Sequence, residues 1–136
     1  MKQLIFPASW DQLELVPSAR SDLIESVSDI ARWNEHLSPV RLRGVDDLIG
    51  FLFDTYCLEE GADQWVGQLI FPDEAAPLQK LIEMFWAFIQ DWQKDDKYLV
   101  RLHQATLPEE VVSRAKSVEA VLKRRGVPTY VEQETP

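Results

Sequence analysis

Few residues of this chain belong to the types that carry out chemistry, and their spacing keeps them apart. The two histidines are His36 and His103; at four residues' distance they meet Arg32 and Val40, and Leu99 and Leu107, so neither completes a metal pair across a helical turn. One cysteine is present, Cys57, which rules out an intramolecular disulfide and a cysteine-based zinc site. It lies late in the apolar stretch VDDLIGFLFDTYCL, where a thiol is an inert packing group rather than a nucleophile, so a dyad with His103 has no supporting environment. Asp46, Asp47 and Asp54 stand at i, i+1 and i+8, a spacing that lets them face one way and hold a cation weakly, but no calcium-loop pattern accompanies them. Phosphate-binding glycine loops, a dinucleotide fingerprint and a nucleophile elbow do not occur. The expectation is a non-enzymatic protein with no catalytic residue, no metal and no cofactor.

Charge narrows the partners. The 136 residues carry a formal net charge of −9, and it is unevenly spread. Between Gly44 and Asp96 there are twelve acids against two bases, a net of −10, whereas from Lys97 onward seven bases face five acids. Such a middle repels phosphate backbones and anionic lipid, so nucleic acid and membrane are excluded as expected partners. Arg41 and Arg43 stand alone in SPVRLRG. No segment approaches the roughly 18 apolar residues of a membrane span, and MKQLIFPASWDQ lacks a long apolar signal core. A cytoplasmic location is the expectation.

The elements follow from apolar spacing between proline and glycine marks. A helix capped by Ser18 or Ser21 is expected to run to about Asn34, with Leu23, Ile24, Val27, Ile30 and Ala31 inward and Ser21, Glu25, Ser28, Asp29 and Arg32 outward. A second covers Val45 to Leu58, with Asp46, Asp47, Gly50 and Asp54 gathered on its back. Gly50 in mid-helix costs about 1 kcal/mol relative to Ala, so it asks for a reason. Either another helix crosses closely there, or an acidic notch between Asp46 and Asp54 opens to a partner's side chain.

The stretch EMFWAFIQDW lies on a helix starting near Asp73, whose apolar face of Leu78, Leu81, Ile82, Phe85, Ile89 and Trp92 is widened by Met84, Trp86 and Phe88. So broad a stripe needs more than one neighbour, which makes this helix the centre of the fold. Trp86 and Trp92, at its margin, are candidate anchors for a partner. The last helix starts at a Thr106–Glu109 capping box and stops at Gly126 and Pro128, burying Val111, Ala115, Val118 and Leu122. The sum is a mainly α fold: a compact bundle of four to five helices around the aromatic-rich one, with room for one short β pair between the N-terminus and residues 65–71. Residues 1–126 make a single domain and residues 127–136 a loose tail.

FLFDT from Phe51, DEA at Asp73 with Leu78 and Leu81, KYL at Lys97 and PEEVVSRA from Pro108 together give residues 45 to 122 a resemblance. They look like a family of small bacterial proteins, best populated in actinomycetes, with an FLFD-type motif in mid-chain. The resemblance implies a bacterial origin and a compact domain, and brings no activity, cofactor or site residue.

The functional expectation is an acidic protein-binding module, of the kind exemplified by an immunity protein or antitoxin that neutralises a basic toxin. Its candidate partner-binding residues are Asp46, Asp47, Gly50, Asp54, Trp86 and Trp92. The alternatives are a small-molecule-binding accessory domain with a pocket bordered by Phe53, Tyr56, Trp86 and Trp92, or a self-associating homodimer whose seam is the wide aromatic face.

Overall fold

The apolar spacing is realised as helices. The computed structural model describes residues 2–35, 45–92 and 105–132; the expectations for His36, Arg41, Arg43 and His103 lie outside the described residues. Among those described, the chain is mainly helical: α1 is Pro17–Ala31, α2 Asp46–Ile49, α3 Ala75–Trp92 and α4 Glu109–Lys123. Tight 3-10 turns at Ala8–Gln12, Leu58–Glu60, Ala62–Trp65 and Pro72–Glu74 join them, and two short strands, β1 (Lys2–Ile5) and β2 (Thr129–Glu132), stand at the ends.

α3 is the interior helix its breadth demanded. Leu78, Leu81, Ile82, Phe85 and Ile89 are buried, and Phe85 meets Trp33 edge-on at 5.7 Å and stacks near Phe53 at 6.0 Å. The chain's own side chains fill the centre of this face, and Met84, Trp86 and Phe88 at its margin stay half-buried.

α1 departs from the surface helix expected. It begins with Pro17 in its first turn, where the missing N–H costs nothing, and no side chain caps it; Ser18 and Ser21 lie inside the helix. α4 packs along one side and the Gly50–Thr55 segment touches another, so burial wraps round to Arg20, Ser26 and Asp29, beyond the stripe of Leu23, Val27 and Ile30. Asp29, read as outward from its helical position, is therefore buried.

Arg20 is the least expected interior residue. Its guanidinium donates to Glu74 through two nitrogens at 2.8 and 2.6 Å, and to the carbonyls of Leu69 and Leu122 at 3.1 and 3.2 Å. The rings of Trp10 and Phe71 lie 5.3 and 5.0 Å from it. Glu74 Oε1 also accepts the Phe71 N–H at 2.8 Å. A buried charge is tolerated only when paired and hydrogen-bonded, and this clasp meets both conditions while tying α1 to the entry of α3 and the end of α4.

α4 buries Val111, Ala115, Val118 and Leu122 as its spacing dictates. Its N-cap is Pro108, without a side-chain cap, so the Thr106 capping box does not form. The chain turns away at Gly126, whose φ of +95° suits glycine; a Cβ there would sit 2.8 Å from Pro7 Cγ.

The β pair exists with a different partner. β1 runs antiparallel to β2, Lys2 opposite Glu132 and Leu4 opposite Tyr130, so Thr129–Glu132, assigned from the sequence to the tail, form a strand. Residues 65–71 instead close on themselves: Val66 bridges Ile70, with the Gly67 N–H donating to the Ile70 carbonyl at 2.9 Å across a turn that Gly67 permits with φ +85°.

Candidate functional site

The FLFD segment carries the first unusual backbone. From Gly50 to Thr55 the helix widens to π geometry, seen where the Tyr56 N–H donates to the Phe51 carbonyl, five residues back, at 3.3 Å. Such widened turns are rare and gather at functional sites. Gly50 has φ −59° and ψ −45°, and a Cβ built there meets nothing within 4 Å. Among the described residues no helix crosses at Gly50, so the close-crossing explanation for this glycine finds no support there.

The acids of α2 do not form a notch of their own. Asp46, Asp47 and Asp54 are all exposed, and of the three Asp47 alone lines a cleft. That cleft, about 190 Å³, lies between α1 and α2 and is walled by Asp22, Glu25, Ser26 and Asp29 on one side and Asp47, Leu48 and Phe51 on the other. Positions 22, 25, 26 and 29 are one stripe of α1 at i, i+3, i+4 and i+7. Four carboxylate side chains thus border one small space. This spacing was visible in the sequence; what hid it was the assumption that α1's polar side faces open water.

Electrostatics record the crowding. Burial, and then the neighbouring charge of Glu25, push the Asp22 carboxyl above its usual range. Ser26 is turned inward on its own helix, its hydroxyl donating to the Asp22 carbonyl at 2.8 Å. Arg32, one turn beyond Asp29, feels that charge but gives its hydrogen bonds to Glu119 on α4 at 2.8 Å and to the Ser28 hydroxyl. Among the described residues no group of three His, Cys, Asp or Glu side chains is placed to hold a metal ion. The carboxylates that line the cleft give it negative potential.

Of the nearby aromatic rings, Phe51 lines the cleft, and two more stand behind it. Phe51 contacts Tyr56 at 4.8 Å and Tyr56 meets Trp65 edge-on at 5.1 Å, while the Trp65 indole N–H donates to the Tyr56 carbonyl at 2.8 Å. All three rings are half-buried. Trp86, by contrast, is half-buried against Phe53, with ring centroids 4.7 Å apart; the two rings fill each other's space where an aromatic pocket was expected. Trp92 is the last residue of α3, and its side chain falls outside the described residues.

Cys57 sits just past the π segment in a left-handed conformation, φ +49°. Burial, followed by the charges of Glu60, Glu59 and Asp54, pushes its thiol up, the opposite of what a nucleophile needs. No helix among the described residues is long and apolar enough to cross a membrane. No protein-family model, curated protein or solved structure matches the chain.

Proposed function

We propose that this protein is a non-enzymatic binding module for a basic protein, and that the cleft between α1 and α2 receives a Lys or Arg side chain of that partner. An immunity protein or antitoxin that masks a cationic toxin does work of this kind. The observation that carries the reading is the convergence of Asp22, Glu25, Asp29 and Asp47 on one space, beside the half-buried rings of Phe51, Tyr56 and Trp65. An arriving cation offsets the burial and the Glu25 charge that raise Asp22, and ring faces favour a guanidinium or ammonium. The excess of acids from Gly44 to Asp96 speeds the encounter, which makes association salt-dependent.

The test is a pull-down from lysate of the source cell at low and moderate salt, with wild-type protein beside the Asp22→Asn/Asp47→Asn double variant. A cationic protein retained by the wild type and lost from the variant supports the reading. Failure to retain any partner at either salt, or equal retention by the variant, sinks it.

A further inference from the structure

We draw no further inference here: the strongest candidate, the open groove of about 590 Å³ between α3 and α4 lined by Lys80, Met84, Glu110, Ser113, Arg114 and Ser117, sets an acid among its two bases and keeps all of its polar side chains exposed, so nothing in the structure shows what would fill it.

Discussion

Replacing Glu74 by Gln tests whether the Arg20 clasp is the internal fastener that the geometry describes. Glutamine keeps the side chain's shape and its carbonyl oxygen, so the Phe71 N–H and one Arg20 N–H retain an acceptor. It removes the negative charge, and turns an amide N–H₂ toward one guanidinium nitrogen. The Arg20 side chain is 1% exposed and that of Glu74 0%, so water cannot replace the lost partner. Breaking a buried pair from one side costs about 3–5 kcal/mol, a large share of the roughly 5–15 kcal/mol that stabilises an ordinary domain. The assay is urea unfolding, in which the midpoint falls while the slope stays constant; for a chain this size the melting temperature drops by roughly 10–20 °C. Arg20→Met completes the cycle. On that background Glu74→Gln has no buried charge left to strand, so its cost falls by at least about 2 kcal/mol, the signature of direct coupling. Equal cost in both backgrounds, or a loss under about 1 kcal/mol in the parent, refutes the reasoning.

Three further outcomes follow from particular side chains. Gly50→Ala stabilises the fold by about 0.5–1 kcal/mol in urea unfolding, because the position is helical and a Cβ meets nothing; a loss of stability would restore the close-crossing explanation. For Glu119, burial raises the carboxyl but hydrogen bonds from Arg32, Ser28 and Lys123 outweigh it and hold it below its usual value. A depressed acid stabilises above its unfolded pKa and loses that contribution as pH falls through the folded one. Glu119→Gln is therefore destabilising by about 1 kcal/mol at pH 7, a modest figure because the Arg32 side is partly solvated, and the gap to wild type closes once pH drops below the ordinary Glu range. Asp22 is raised, the reverse case: its charged form opposes folding, an effect absent at acid pH that grows as pH rises from the usual Asp range through the folded pKa. Asp22→Asn raises the urea midpoint at pH 7 and leaves it unchanged in strong acid; lower stability at pH 7 would show that the carboxylate is supported rather than crowded.

How much of this was readable from residue order depends on which physical signal each part uses. Helical periodicity reports local amphipathicity, and it located α3, the inward stripe of α4 and the aliphatic face of α1. It cannot report a neighbour on a second side, which is why Asp29 was placed in water although α1 packs against α4 and the Gly50–Thr55 segment and Asp29 is buried. Nor does it register a long-range ion pair: Arg20 and Glu74 are 54 residues apart, and each alone resembles a surface charge near a helix start. Strand pairing failed for a related reason. Residues 2–5 and 129–132 each carry a weak β signal, and choosing the partner requires the ends to meet, which the helices decide. The cleft lay between these extremes: the 22, 25, 26, 29 spacing was printed in the sequence, but Asp47 joins it only through the packing of α2.

The two charged features of α1 have opposite energetic character, and that contrast supports a binding role for the cleft. At Arg20 the helix turns a charge inward and surrounds it with a carboxylate, two carbonyls and two rings, an arrangement that pairs Nη1 and Nη2 and leaves only the buried Nε without an acceptor. Less than one turn later the same helix begins a row of acids and sets Asp47 of α2 across from it. Among the acids themselves the juxtaposition is repulsive, since like charges at i, i+3 and i+4 spacing are destabilising, while Arg32 offsets part of it at Asp29; an apolar or mixed lining would fill 190 Å³ at lower cost. Sequences are locally consistent with their folds except where a function draws on the inconsistency. The widened turn of Gly50–Thr55 adds a second departure at the same place, since it carries Phe51 into the cleft wall. A cation from outside resolves the first conflict, which is why charge removal at Asp22 is expected to stabilise the free protein while weakening its hold on a basic partner. Loss of stability and loss of binding together would instead mark these acids as structural.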